Sequence, residues 1–337
     1  MPSVRPLRIV VMGTGPFAVP MLREMVASPH EIVAVITRPD HTAPGRKAPP
    51  NPVRDAAVAA GLSVVAPERI NTPESIARLR TLAADLFVVC DYGQILSGEV
   101  LAIPPLGGIN LHGSLLPRHR GAAPVQWAIL EGDAITGVSV IGMTAALDAG
   151  RVITARETPI GERENAAELE TRLAEIGGPA VLDAIDRLQA AVATGHAASE
   201  VGIPQDANRA TRAAKLTKAD GIVDWSQSAT RIERMRRALE PWPRAATFYE
   251  RGDGGRQRLV IAAADVAFPE EFLVPEPAPA PGTVLAAEQS PDTGRIVVAC
   301  GAGSAIAITM LVPEGKRPMT AGEFLRGSPL RPGAVLG

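Results

Sequence analysis

Apolar runs of strand length alternate with helix-like segments through the first 160 residues, and few architectures accommodate that rhythm. The runs at 7–12, 31–37, 86–90 and 109–112 read as strands; 17–27, 52–60, 73–82 and 124–130 read as helices, three of them opening on proline at or near the first helical position. Such alternation predicts a parallel α/β sheet of Rossmann-like type. Strands at 136–143 and 151–158 continue it, and 165–192 is long enough for one closing helix, with Gly177-Gly178-Pro179 as the expected break or kink.

Past residue 195 the pattern fails for about twenty residues of small and polar character, which reads as a connector. The expected organisation is a catalytic domain over 1–194, a linker over 195–212 and a second domain over 213–337. In the latter, a helix at 229–239 and short β-rich runs at 258–263, 282–286, 295–299 and 305–311 point to a small barrel or sandwich. Pro275 to Pro281, with four prolines in seven residues, reads as an extended surface insertion of polyproline II character.

With 46% hydrophobic and 21% charged residues among 337, the chain has globular composition. Its net charge of −2 is unevenly spread. Residues 1–207 hold 17 Lys and Arg against 22 Asp and Glu; residues 208–337 hold 17 against 14. Nine of the latter cations fall within 208–249, a basic stretch suited to an anionic partner. Cys90 and Cys300 each sit in apolar runs, which suggests buried thiols and neither a disulfide framework nor a zinc site. The apolar run behind Arg8 is too short for a signal peptide or membrane span, so a soluble cytoplasmic protein without a membrane partner is expected.

The turn after the first run, Gly13-Thr14-Gly15-Pro16-Phe17-Ala18, matches the G-x-G-x-x-A of dinucleotide-binding folds. No acid ends the second strand; Arg38 stands there and could serve a 2′-phosphate, leaving an NADP-dependent oxidoreductase as a remote alternative. Equally, the two glycines permit a tight turn and leave a helix N-terminus open to any ligand.

Asn110 and His112 are two apart on a strand, so both project from the same face at its C-terminal end, where open α/β sheets bind ligands. Asp148 falls in a loop between two expected strands, where a carboxylate could reach the imidazole and favour its charged form.

The stretch INLHGSLLPRHRGAAPVQWAILEGDAITGV, followed by LDAG, resembles the folate-dependent formyltransferases, and most closely their methionyl-tRNA-specific branch. The likeness extends to GTGPFAV near the start, YGQIL at 92–96, KLTKADGIVDWSQSA at 215–229, PWP at 241–243, PGTV at 281–284 and EGKRPMTAGEFL at 314–325. It implies formyl transfer from N10 of 10-formyltetrahydrofolate, as cosubstrate, to the α-amine of methionine on initiator tRNA, in support of translation initiation and without a metal. An amino sugar nucleotide as acceptor is the alternative. By that resemblance Asn110 and a protonated His112 would donate to the developing oxyanion and Asp148 would orient and charge the imidazole. Tyr92, Gly93, Gln94, Ile95 and Leu96, with Met143 and Leu147, would bind the pterin; Ser114, Leu115, Leu116 and Pro117 would border the folate path. Asp91 departs from the family's small residue before the Tyr-Gly pair. The loop carrying Arg38, Arg46 and Lys47 would approach the tRNA acceptor end. Lys215, Lys218, Arg234 and Arg237, on an OB-like barrel, would neutralise tRNA phosphates. A monomer is expected.

Overall fold

The first unit is organised around one sheet whose strands and covering helices follow in chain order. The elements through residue 193 are β1 (Arg8–Gly13), α1 (Ala18–Ala27), β2 (Glu31–Ile36), α2 (Pro52–Ala59), β3 (Val64–Val65), α3 (Pro73–Thr81), β4 (Leu86–Cys90), α4 (Gly98–Leu101), β5 (Gly108–His112), β6 (Arg120–Gly121), α5 (Pro124–Glu131), β7 (Ile135–Gly142), β8 (Val152–Pro159) and α6 (Ala166–Ala193), of which β6 lies outside the main sheet and most of α5 clusters with the second unit. The computed structural model describes residues 5–40, 50–251, 254–267, 279–290, 294–328 and 330–337. Arg46, Lys47 and most of the Pro275–Pro281 insertion lie outside the described residues.

The sheet runs β3-β2-β1-β4-β5-β7-β8, parallel through β5 and antiparallel at β7 and β8. All five residues of β4 are buried, as a central strand covered on both faces requires. Helices α2 and α3 begin where the sequence says they should: Asn51 and Thr72 accept from the backbone N–H groups of Arg54 and Ser75, and each is followed by proline at the first helical position. The chain reverses its order across the sheet between β1 and β4, so the crevice at their C-terminal ends is a topological switch point.

Helix α6 runs on through Gly177-Gly178-Pro179, so that stretch is not a break in the helix. The glycines serve close packing. A Cβ at Gly177 would lie 2.5 Å from Leu111 Cδ2 on β5, and one at Gly178 would lie 2.5 Å from Glu24 Cγ on α1. The two glycines therefore leave room for the Leu111 side chain on the sheet and the Glu24 side chain on α1.

Residues 168–214 cluster with the first unit, and β9 (Arg212–Ala213) pairs in parallel with β6.

The second unit, which takes in 215–337 together with 126–133 and 161–167, carries α7 (Ala229–Ala238), β10 (Ala246–Glu250), β11 (Arg256–Ala267), β12 (Val284–Ala287), β13 (Ile296–Ala299), β14 (Ala305–Pro313), β15 (Met319–Thr320) and α8 (Ala321–Gly327). Its strands form an antiparallel sheet ordered β10-β11-β14-β13-β12, with β15 on β14. The open side is bridged by the residues after α8: Leu336 donates to Gly282 and Gly337 to Phe248, so the sheet curls into a small barrel-like domain. Inside, the Trp225 indole donates to Thr247 Oγ1 at 3.0 Å, and Tyr249 meets Phe324 edge-on at 5.5 Å between centroids.

Candidate active site

Strand β5 places the first two candidate residues. Leu111 faces α6 through its contact at Gly177, so Asn110 and His112 project from the opposite face of the sheet. Asn110 is half-buried, and its side-chain amide has no hydrogen-bond partner among the described residues. An unpaired amide at a strand end leaves a donor and an acceptor available to a ligand.

His112 is buried, and two groups frame its ring. Nε2 lies 2.9 Å from the carbonyl oxygen of His119, and Nδ1 lies 3.8 Å from Asp148 Oδ2. Burial pushes the imidazole below its ordinary value, and the Asp148 carboxylate and the His119 carbonyl only partly offset that. In this arrangement the balance favours the neutral ring over the imidazolium expected from the family resemblance.

Asp148 adopts a left-handed conformation with φ of 49° and receives the Gly121 backbone N–H on Oδ2 at 2.9 Å. Its loop is fastened by Gln205, whose amide nitrogen donates to the carbonyls of Asp148 (2.8 Å) and Gly150 (2.7 Å). Gln205 Oε1 in turn accepts from Arg120 Nε and Nη2 at 3.0 and 2.7 Å. Sequence reasoning missed Arg120 and Gln205. Eighty-five positions separate them, and no local pattern signals such a pair.

The loop after β5 is held from beneath. Ser139 on β7, opposite His112 in register, donates to the Ser114 carbonyl at 2.8 Å and accepts from the Leu116 N–H at 3.1 Å. The Ser114 hydroxyl closes the loop on the Arg118 carbonyl at 2.7 Å, so this side chain serves the loop itself. Leu115, Leu116 and Pro117 are half-buried. Ser139 is a further residue that sequence reading did not single out.

The segment 92–96 divides by face. Tyr92 and Leu96 belong to the core on one side of the sheet, against which Met143 packs. Burial raises the Tyr92 phenol to about 12, and its hydroxyl has no partner among the described residues. The Gln94 side chain bridges the Ile70 N–H (2.9 Å) and the Pro67 carbonyl (3.2 Å). Gly93, with φ of 77°, and Ile95 are exposed. Among the described residues the backbone N–H groups of Gly93, Gln94 and Ile95 have no protein partner. What this loop offers a ligand is thus backbone and the Ile95 side chain, while Leu147 stands 67% exposed nearby in sequence to Asp148.

Asp91 resolves the glycine turn. A Cβ at Gly15 would overlap the Asp91 carboxylate, which hydrogen-bonds the Gly15 backbone. A carboxylate this close to Gly15 disfavours an anionic pyrophosphate at the turn, which counts against the oxidoreductase reading. Local desolvation beside this turn raises the Asp91 carboxyl although the residue as a whole is exposed, with the Gly15 backbone and Arg38 opposing.

The basic candidates separate. Arg38, Lys215 and Lys218 are exposed; Arg234 is half-buried, with its guanidinium beside Gly132. Arg237 is 7% exposed, donates to both oxygens of Glu233 at 2.9 Å and to the Glu164 carbonyl at 2.9 Å. Its charge is satisfied inside the protein, so it is withdrawn from the phosphate-facing set.

Residues 7–185 match the formyl transferase family and residues 215–329 the formyl transferase C-terminal domain family. A methionyl-tRNA formyltransferase of Rhodopirellula baltica is 41% identical over 98% of this chain and 96% of its own. One of Symbiobacterium thermophilum is 42% identical over 97% and 94%. The chain belongs to the methionyl-tRNA formyltransferase family. The same fold occurs at 16% identity in an N-formyltransferase of Helicobacter canadensis solved with folinic acid and dTDP-3-aminofucose, with a TM-score of 0.60 over 90% of this formyltransferase and 98% of that chain. At that identity the likeness speaks of architecture alone. No helix among the described residues of this formyltransferase is long and apolar enough to cross a membrane.

Proposed function

We propose that this formyltransferase moves the formyl group of 10-formyltetrahydrofolate to the α-amine of methionine carried by initiator tRNA, working in the cytoplasm with Asn110, His112 and Asp148 as its catalytic residues. The observation that carries the assignment of roles is the pairing of an unpartnered Asn110 amide with a buried His112 that has a carboxylate 3.8 Å from Nδ1 and a carbonyl oxygen 2.9 Å from Nε2.

The bound folate supplies the formyl carbon on N10, and the free backbone N–H groups of Gly93, Gln94 and Ile95 fit the polar edge of its pterin. Asn110 donates its amide N–H to the formyl oxygen, which gains negative charge as the amine's lone pair bonds to carbon. Preorganised donors of this kind are commonly the largest catalytic contribution. His112 already gives its Nε2 hydrogen to a carbonyl, so Nδ1 is the ring atom that takes up a proton, released by the attacking amine directly or through one water. Asp148 steadies the resulting imidazolium and, as the carbon–nitrogen bond to the folate breaks, the same proton passes on to N10. The proton balance closes within the pair of substrates.

Lys215 and Lys218, with the half-buried Arg234, lie in the family's C-terminal region and its approach, and support phosphate contact along the acceptor arm. The test is formylation of Met-tRNA by the purified protein with 10-formyltetrahydrofolate, run beside a nucleotide-linked amino sugar. Formyl-Met-tRNA as the product, lost in His112→Ala, is the expected result; a formylated sugar with untouched Met-tRNA overturns the acceptor.

A further inference from the structure

The strap of chain after α6 makes contacts that the catalytic roles above do not use. Gly202 and Ile203 lie along β8, where Ile203 and Val152 exchange backbone hydrogen bonds at 2.8 and 2.9 Å. Gln205 then reaches the Asp148 loop. Thr211 Oγ1 accepts the His119 N–H at 2.8 Å, and the Arg120 N–H donates to the Thr211 carbonyl at 2.8 Å. His119, whose carbonyl receives His112 Nε2, and Asp148, which faces His112 Nδ1, are therefore both fastened by the same strap. All of these residues belong to the first unit.

Within it, Gln205 occupies the one arrangement in which a primary amide uses both ends. Its nitrogen supplies two hydrogens to two carbonyls on either side of Ala149, and its oxygen receives a bidentate guanidinium. Two carbonyls bonded to one nitrogen fix the curvature of the turn that presents Asp148 at φ of 49°. A glutamate could accept from Arg120 but could not donate to the carbonyls; a methionine could do neither.

We propose that Gln205 is a positioning residue, anchored on Arg120, that sets the Asp148 carboxylate against the His112 ring. The proposal rests on the functional reading above for its kinetic arm and on geometry alone for its second arm. A misplacement of about 1 Å at a reacting group costs on the order of 10²-fold in rate.

The test compares wild type, Gln205→Met, Gln205→Glu, Arg120→Ala and the Arg120→Ala/Gln205→Met double variant. Formylation kcat is expected to fall about 10- to 100-fold in Gln205→Met and Gln205→Glu, with KM for Met-tRNA and 10-formyltetrahydrofolate moving less than about threefold. The double variant should lose no more than Gln205→Met, because Arg120 acts through Gln205. In the second arm, NMR titration of the His112 ring reads the geometry without turnover. Asp148 and His119 are the titratable groups whose charges act on it. Loosening Asp148 should move the His112 midpoint further down in both Gln205 variants. An unchanged midpoint with full kcat, whatever the melting temperature does, overturns the proposal. If wild type forms no formyl-Met-tRNA, the functional reading fails by itself, and the titration still decides the role of Gln205.

Discussion

The Nε2 atom of His112 lies 2.9 Å from the His119 carbonyl oxygen. A carbonyl only accepts, so the hydrogen of the neutral ring resides on Nε2 and the lone pair on Nδ1, toward Asp148. Catalysis is then written from a neutral imidazole and an amide donor, and the predictions follow from those two groups and their supports.

Asn110→Ala should lower kcat by about 10²- to 10³-fold, the usual loss for one oxyanion donor, with modest change in either KM. His112→Ala should lose at least as much. Asn110→Asp, which keeps the shape and removes the N–H, should resemble Asn110→Ala in steady-state formylation assays.

Because the folded-state pKa of His112 lies below its unfolded value of about 6.5, the unfolded chain binds more protons in the window beneath 6.5. This residue's contribution to stability therefore rises with pH through that window and is lost on acidification. Urea unfolding at pH 7.0 and pH 5.5 should show a larger acid penalty for wild type than for His112→Gln. In the kinetic profile, kcat/KM should fall on the acid side, below about 6.5, as the base becomes protonated.

Arg237→Ala and Lys215→Ala should fail in different ways. The first removes a buried partner of Glu233 and should cost on the order of 3 kcal/mol in unfolding experiments. The second should leave unfolding unchanged and weaken tRNA binding. The slope of log affinity against log salt should shrink by about one for each phosphate contact removed at Lys215 or Lys218. Equal salt slopes in wild type and the Lys215→Ala/Lys218→Ala variant would count against these lysines as phosphate contacts.

Ser139→Ala should leave the Leu116 N–H without its acceptor in a buried setting and cost about 1–3 kcal/mol. Thermal denaturation checks the first effect, and a raised folate KM would show that the loop 114–117 has loosened.

Local pattern sufficed where burial was continuous or capping chemistry was explicit. The run Leu86–Cys90 emerged with its bounds intact because every side chain in it is enclosed, and α2 and α3 start at Asn51-Pro52 and Thr72-Pro73. It failed where tertiary contact decides. Two-residue β3 carries no period to detect, and the Gly177-Gly178-Pro179 stretch reads as a break until Leu111 and Glu24 are seen pressed against the glycines. The site divides in the same way. Asn110 and His112 share a face by strand geometry alone, whereas the approach of Asp148 to His112, the Arg120–Gln205 bond and the Asp91 carboxylate at Gly15 each join distant parts of the chain. The sign of the His112 shift was illegible for the same reason, since burial outweighs the carboxylate only once both are placed.

Leu111 stands between Asn110 and His112 on β5 with its back to Gly177. A single methyl group added at Gly177, on the far side of the sheet from Asn110 and His112, would press on the buried Leu111 side chain that lies between them in sequence. A mutational survey restricted to cleft walls would overlook this contact behind the strand that carries both polar residues.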